Sequence, residues 1–309
     1  MTNPTRRAIL IAGPTASGKS AVAIAVAERI DGIVVNADSM QVYRDLRILT
    51  ARPSEAEEAR VPHRLFGHVD AARNHSVGHW LREVTVVLAE AAAAGRVPVV
   101  VGGTGLYLKA LTQGMSAMPA VPEAVRGRLR AEAQDRTPAE LHARLSNIDP
   151  VMAARLRPSD PQRILRALEV IEATGRSLAT YQQSREPAVL PLADLTAVFL
   201  APGRDQLRAG IDRRLDAMVG SGALDEVAAL ADRELDSALP AMRALGVRDL
   251  MVVRKQPSVL PAALAAAKQA TWRYSKRQFT FARHQLPGLS WVPPEAAGDL
   301  VLRRWREAH

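Results

Sequence analysis

The 309-residue chain contains no cysteine. That excludes disulfides, thiol nucleophiles and cysteine-bound zinc, so any metal has to be held by oxygen or histidine, and it fits a reducing compartment. Aromatic residues make up only 4% of the chain, so a cluster of them carries information. No apolar run approaches the roughly 20 residues of a membrane span. The apolar stretch near the N-terminus is too short for a secretory signal. A cytoplasmic location with no membrane partner is the expectation. What the chain has in excess is positive charge, with 41 Lys and Arg against 32 Asp and Glu, a net +9. A basic surface suits a polyanionic partner, and clustering decides between that and a merely soluble surface. The length allows one large domain or two small ones, each with a full core.

The stretch Gly13-Pro14-Thr15-Ala16-Ser17-Gly18-Lys19-Ser20 matches G-x-x-x-x-G-K-[ST], the phosphate-cradling P-loop. Its context fits as well. Arg7 to Ala12 reads as a short buried strand and Ala21 to Arg29 as a helix. Glycines let successive backbone N–H groups turn inward, and the helix N-terminus adds its positive dipole end. Lys19 would reach a terminal phosphate, and the Ser20 hydroxyl would take a place on Mg²⁺. The loop implies a di- or triphosphate and does not say which.

A second strand is expected over Ile33–Ala37, ending at Asp38. Strand ends beside a P-loop form the ligand crevice of an open α/β sheet, which places Asp38 for chemistry; its alternative role is to cap the turn that follows. His63 lies in an expected loop and reads as structural. Val77 to Ala94 reads as a helix stopped by Gly95, and Val97 to Val101 as a strand of a parallel sheet covered on both faces. That strand runs into Gly102-Gly103-Thr104-Gly105. An ordinary ATPase has an acidic residue there; glycines instead imply close approach of a backbone or a substrate. From Met115 the texture changes to helices over Glu123–Gln134, Pro138–Leu145 and Pro150–Leu156, then a longer helix opened by Ser159 or Asp160 with Pro161 and stopped by Gly175. Strand texture returns at Leu195–Leu200, and helices follow, the longest capped near Ser258 and running to about His284. The expected fold is therefore α/β, a P-loop NTPase-like parallel sheet core carrying an inserted all-helical subdomain. The divisions fall at residues 1–114, 115–189 and 190–309.

Between Leu250 and Pro294 there are seven Lys or Arg and no Asp or Glu. Arg273, Lys276, Arg277, Thr280 and His284 recur at helical spacing and share a face. Trp272, Tyr274, Phe279 and Phe281 are interleaved with them. A basic face with aromatics suits a nucleic-acid strand with exposed bases; the alternative is a solvated face with its aromatics turned to the core. Gln162, Arg163 and Arg166 form a second basic cluster, for RNA contacts or structural ion pairs. Arg213 and Arg214 have Asp212 and Asp216 beside them, which makes local pairing the default.

Five motifs occur in one order: the P-loop, Asn36-Ala-Asp38-Ser-Met-Gln41-Val-Tyr43, Val101-Gly-Gly-Thr104-Gly-Leu-Tyr107, Asp160-Pro-Gln162-Arg163-Ile-Leu-Arg166-Ala-Leu-Glu169 and Lys276-Arg277-Gln278. Together, over almost the whole chain, they resemble the tRNA dimethylallyltransferase (tRNA isopentenyltransferase) family. The resemblance implies transfer of a dimethylallyl group from dimethylallyl diphosphate to N6 of the adenosine immediately 3′ of the tRNA anticodon. It implies that the P-loop and Arg214 hold the donor diphosphate; Arg214 is chosen over Arg213 for its spacing to Met218. Asp38 would be the general base, and Mg²⁺ the metal, with Ser20 as ligand. The positions that would touch the tRNA anticodon stem-loop are Asp38-Ser39-Met40-Gln41, Thr104, Arg126, Gln162-Arg163-Ile164-Leu165-Arg166, Arg243-Ala244-Leu245-Gly246-Val247-Arg248, Lys276 and Arg277. Independently of the family, an allylic C–O bond breaks readily once charge on the departing diphosphate is neutralised. Adenine N6, its lone pair delocalised into the ring, needs a base as the C–N bond forms.

Three departures stand out. Val247 follows Gly246 where the family usually has Tyr, and Phe281 stands where it usually has Trp; both would weaken stacking on RNA. No Cys/His zinc finger follows the core. Rival readings are a small-molecule or nucleotide P-loop kinase, a non-catalytic RNA-binding NTPase module, and an adenylate dimethylallyltransferase. The acid-free basic stretch, the helical insertion and Asp38 count against them. No feature calls for an obligate protein partner, and a monomer is one expectation.

Overall fold

The computed structural model describes residues 7–309. Strand β1 (Ala8–Ala12) turns through the glycine loop into helix α1 (Lys19–Arg29), and β2 (Gly32–Asn36) follows. Helix α2 (Glu55–Arg60) is opened by a capping box between Ser54 and Glu57 and precedes the two-residue edge strand β3 (His63–Arg64). Helix α3 (Val77–Ala93), capped by Ser76, leads to β4 (Val97–Gly102) and α4 (Gly105–Gln113). Helices α5 (Glu123–Glu132), α6 (Pro138–Ile148), α7 (Pro150–Ala153), α8 (Pro161–Thr174) and α9 (Leu178–Tyr181) belong to a separate compact unit, Gly114–Pro187. The first unit resumes with β5 (Leu195–Leu200), α10 (Arg204–Gly220), α11 (Ala223–Asp232), α12 (Val247–Met251), α13 (Leu260–Gln285), β6 (Ser290–Val292) and α14 (Pro294–Arg306).

The six strands form one sheet in the order β3-β2-β4-β1-β5-β6, and every pairing is parallel. Parallel strands are covered on both faces, which is why they read as unbroken apolar runs. Because successive side chains alternate, Leu10, Val35 and Val100 pack with Trp80 of α3, Leu111 of α4 and Ala282 of α13. Ile9, Ile11, Val34 and Val99 pack on the other side with Ala23 and Ile24 of α1 and Val301 of α14. The register pairs Ala12 with Gly102 and Asn36 with Val101. The carboxyl ends of β1, β2 and β4 therefore lie side by side, the place where open α/β sheets form their ligand crevice.

A third apolar cluster joins α10 to α13 with Val42, Tyr43, Leu46 and Leu49, the segment that leaves β2. That segment forms neither helix nor strand beyond one bridge from Tyr43 to Val69, and the Glu226 carboxylate accepts from the N–H groups of Arg47, Ile48 and Leu49 at 2.6, 2.7 and 2.9 Å.

The helical unit has its own core of Leu129, Leu141, Leu145, Ile164 and Leu168. Helix α8 begins as its sequence suggests, with the Asp160 side chain accepting from the Arg163 N–H and Pro161 in the first turn, and it stops at Gly175 in the left-handed conformation, φ 67°. Glu169 is buried, and a buried carboxylate needs partners. Arg166, Arg130 and Arg126 supply them at 3.4, 3.7 and 4.0 Å.

Several boundaries differ from expectation for local reasons. Ser258 does not cap α13, which starts at Leu260 after a short 3₁₀ turn and without a side-chain cap. His63 lies on β3 instead of a loop, and its Nδ1 pairs with the Val61 carbonyl at 2.8 Å, a structural role. Among the described residues, no helix is long and apolar enough to cross a membrane.

Candidate active site

The P-loop departs from β1 and curls over the start of α1. Ala16 and Gly18 both take positive φ, 61° and 81°, the kind of turn that aims backbone N–H groups inward at an anion. Ser17 Oγ is buried with no hydrogen-bond partner among the described residues, and Lys19 folds its amine back onto the Pro14 carbonyl at 3.3 Å. An orphaned hydroxyl and a lysine engaged by its own loop are groups that a phosphate would satisfy. The fit extends to Mg²⁺ in donor type, since the Ser20 hydroxyl at the start of α1 is a hard oxygen.

Lys19 is only 8% exposed. Burial pushes its ammonium down to about 8; Asp38 opposes that shift, and Arg214 adds to it. Arg214 is itself pushed down by burial and supported by Asp38, and its Nη2 donates to the Thr50 carbonyl at 3.2 Å. Two cations thus bracket one carboxylate. Among the described residues, the local pairing expected around Arg214 does not form. Asp216 pairs instead with Lys268 at 2.6 Å, because α10 directs the two neighbours to different sides.

Asp38 sits just past β2. Asn36, fully buried, fixes its backbone: Oδ1 accepts from the Asp38 N–H at 2.8 Å, and Nδ2 donates to the carbonyls of Asp38 and Leu65, each at 2.9 Å. One Asp38 carboxylate oxygen accepts from the Met40 N–H at 2.9 Å, so the turn-capping role is real and occupies that oxygen. The charge of the group is felt by Lys19, Arg214, Tyr107 and Tyr274. Tyr274 was not singled out by the sequence beyond its place among the aromatics. It forms a hydrogen bond with Thr104, and burial together with the nearby Asp38 charge pushes its phenol up to about 12, so it stays protonated as a donor. Thr104 Oγ1 also accepts from the Ser39 N–H at 2.9 Å and donates to Ser39 Oγ at 3.2 Å.

The glycines at the end of β4 are explained by close neighbours. A Cβ on Gly102 would strike the Ala37 carbonyl, and one on Gly103 would strike the Gln278 amide and come within 2.8 Å of the Gly13 carbonyl. Gln278, third residue of the Lys276-Arg277-Gln278 motif and 7% exposed, crosses this gap. Its Oε1 accepts from the Thr15 N–H at 2.9 Å, and its Nε2 donates to the Gly103 carbonyl at 2.8 Å. It ties the P-loop to the glycine turn. Gln278→Leu leaves the Gly103 carbonyl unpaired in a buried place, a cost of about 1–3 kcal/mol, and takes the partner from the half-buried Thr15 N–H. The expected result, read by denaturant unfolding, is a clear loss of stability; an unchanged midpoint would mean the strut contributes nothing.

The remaining candidates divide by exposure. Gln162 and Arg163 are exposed at the start of α8, Arg163 also pairing with Asp160 at 3.3 Å. Arg166 pairs with Glu169 at 3.4 Å, the ion-pair alternative weighed for its cluster, and Arg126 pairs with Glu123 at 2.7 Å and reaches Glu169 at 4.0 Å. Leu165 is half-buried and Ile164 fully so. Arg243 and Arg248 are exposed and Leu245 half-buried, but Ala244 and Val247 are turned into the core of the first unit. Gly246 between them holds φ 86°. Val247 is therefore a packing residue here, and any contact with RNA at Ile164, Ala244 or Val247 has to come from backbone or neighbours. Gln41 is buried, its amide donating to the carbonyls of Thr50 and Ala51 at 2.8 and 2.9 Å.

Lys276 and Arg277 are exposed, as are Arg273, Thr280, Arg283 and His284. The interleaved aromatics are not presented with them. Trp272 is buried, Phe279 and Phe281 pack against the cores, and the Phe281 ring lies where a Cβ on Gly105 would go. Helical periodicity sends residues one apart to different faces, so the outer face of α13 is basic while Trp272, Phe279 and Phe281 turn inward. The cations cover the rings from outside, Lys276 at 5.0 Å from the Trp272 centroid and Arg277 at 5.4 Å from that of Tyr274.

Fold and crevice together define a P-loop α/β protein in which a phosphate cradle, two cations and a carboxylate meet at the ends of parallel strands. Residues 41–285 match the family described as IPP transferase, and residues 6–66 match isopentenyl transferase. The tRNA dimethylallyltransferase of Methylocella silvestris is 58% identical over 96% of this chain and 97% of its own length. That of Beijerinckia indica is 53% identical over 96% and 98%. Among solved structures, the tRNA isopentenylpyrophosphate transferase of Bacillus halodurans is similar with a TM-score of 0.68 and 31% identity, covering 98% of each chain. A eukaryotic dimethylallyltransferase acting on tRNA shares the fold at a TM-score of 0.78, covering 94% of this chain and 74% of its own. The chain belongs to the IPP transferase family, that of the tRNA dimethylallyltransferases.

Proposed function

We propose that this protein transfers a dimethylallyl group from dimethylallyl diphosphate to N6 of the adenosine immediately 3′ of the anticodon in tRNA, releasing diphosphate. The observation that carries the reading is the convergence of Lys19, Arg214 and Asp38 at the mouth of the P-loop, where the Asp38 charge supports both buried cations. The loop amides, Lys19 and Arg214 hold the diphosphate and neutralise the charge that grows as the allylic C–O bond breaks and its electron pair leaves with the diphosphate. Mg²⁺ at Ser20 would add a Lewis acid to that neutralisation. The N6 lone pair forms the new C–N bond, and the N6 proton passes to the Asp38 carboxylate oxygen not engaged by Met40. Thr104, Ser39 and Tyr274 line the same place with hydroxyls that orient the base.

To reach Asp38 the adenine leaves its stack, at a cost of a few kcal/mol. Contacts that offset this cost are proposed at the exposed Lys276 and Arg277, at Arg243 and Arg248, and in the helical unit at Gln162 and Arg163. Lys276→Ala and Arg277→Ala are each expected to weaken tRNA binding and to lower the slope of log affinity against log salt by about one. Unchanged binding across several salt concentrations would return this face to the solvent.

The reading as a whole is tested by incubating the protein with bulk tRNA, Mg²⁺ and dimethylallyl diphosphate, with ATP replacing the prenyl donor as control. Nucleoside mass analysis should show a prenylated adenosine with the prenyl donor alone. Phosphorylated product with ATP, and no prenyl adduct, would favour a kinase instead.

A further inference from the structure

We propose that His68, His75 and Glu83 form a site for one divalent transition-metal ion of the zinc class. His68 Nε2 and His75 Nε2 each lie 3.0 Å from the same Glu83 oxygen, Oε2. Potential ligand atoms of the three residues all fall within 4.8 Å of one another. Metal–ligand distances of about 2.0–2.2 Å in a tetrahedral shell put ligand atoms about 3.4 Å apart, so small side-chain adjustments make room for an ion between the three groups.

The donor set selects the metal. Two imidazoles and one carboxylate suit Zn²⁺, with water in the fourth position, whereas Mg²⁺ and Ca²⁺ call for all-oxygen shells. The carboxylate brings one negative charge to set against the ion. With the metal on Nε2, the His75 ring proton sits on Nδ1, 3.4 Å from the Tyr107 hydroxyl. An outer partner of this kind fixes the tautomer of a metal-binding histidine. His79 stands nearby, its ring centroid 5.7 Å from that of His75, but its Nδ1 belongs to the Ser76 cap.

The ion would fasten an irregular segment to a helix. His68 and His75 lie between β3 and α3, and Glu83 is on α3. The contacts continue toward the crevice. Tyr107 stacks on Trp80 at 4.4 Å, the Trp80 indole N–H donates to the Asn36 carbonyl at 2.8 Å, and Asn36 holds the backbone of Asp38. The clip therefore braces the wall from which Asp38 projects, without touching the P-loop.

The test uses the full, untagged chain, stripped with chelator and dialysed against Zn²⁺, with bound metal measured for the wild type, His68→Asn and Glu83→Gln. The wild type should retain one equivalent that both variants bind at least about tenfold more weakly. Its unfolding midpoint should rise with Zn²⁺ while theirs does not. X-ray absorption at the zinc edge should show a nitrogen and oxygen shell with imidazole scattering. His68 is partly exposed, so its replacement leaves the fold intact, and Glu83→Gln provides the check if it does not. Equal zinc uptake by the wild type and both variants, or none by the wild type, overturns the proposal. The readouts do not depend on prenyl transfer, so they stand apart from the reading of the reaction.

Discussion

Asp38→Asn should lose prenyl transfer by a factor of about 10²–10⁴ while binding tRNA within a few-fold of the wild type. Asparagine is the informative replacement because Asp38 has two roles in the structure. One oxygen accepts from the Met40 N–H, and an asparagine carbonyl oxygen keeps that bond. What asparagine cannot do is take a proton from an amine. If Asp38 served only the turn, Asp38→Asn would transfer normally. If it is the base, the chemical step fails with the turn intact. Asp38→Ala should abolish transfer as well, but it also removes the turn's hydrogen bond, so its loss is harder to assign. Single-turnover transfer with saturating donor separates the chemical step from binding.

Lys19→Met should weaken the binding of dimethylallyl diphosphate and lower the transfer rate by about 10²–10³, and it should erase a pH dependence that the wild type shows. The ammonium is buried, and its pKa falls to about 8 from the ordinary 10.5. In the free protein, Lys19 is charged below pH 8 and becomes neutral above it. A diphosphate prefers the charged form, so binding above pH 8 takes up a proton, and donor affinity falls as pH rises through 8, by up to about tenfold per unit. Methionine keeps the buried stem without a titrating group, so the decline should vanish in the variant. Calorimetry in buffers of different ionisation enthalpy measures the proton uptake. A wild-type donor affinity that is flat from pH 7 to pH 9 would mean that Lys19 does not face the diphosphate.

The residues that could be placed from sequence are those whose role is local. The P-loop announces itself in eight consecutive positions. Strands such as Leu195–Leu200 are continuous apolar runs because both faces are covered. Asp160, Pro161 and Gly175 mark the ends of α8 by their own backbone chemistry. The edge strands were not visible: β3 has two residues, half-buried and exposed, and β6 has three including an exposed Trp291. Neither has an apolar run to detect.

The site divides in the same way. Asp38 could be found because it follows a strand beside the P-loop. Gln278 could not, because its partner Thr15 is 263 residues away and nothing in a Lys-Arg-Gln triplet says that the glutamine faces inward. Tyr274 and Trp272 sit among the basic residues of α13 in sequence, yet one reaches Thr104 and the other enters the core. Composition over that stretch reports both faces of the helix at once. The cluster of His68, His75 and Glu83 joins a loop to a helix, and only the fold brings it together.

The central claim is that the phosphate cradle grips a prenyl diphosphate while Asp38 deprotonates a purine amine. Position-resolved mass spectrometry of tRNA after incubation with the protein, Mg²⁺ and dimethylallyl diphosphate tests it most directly. One dimethylallyl group is expected on N6 of the adenosine next to the anticodon on its 3′ side, made by the wild type and absent with Asp38→Asn. A group placed on any other atom, or an equal yield from Asp38→Asn, would contradict it.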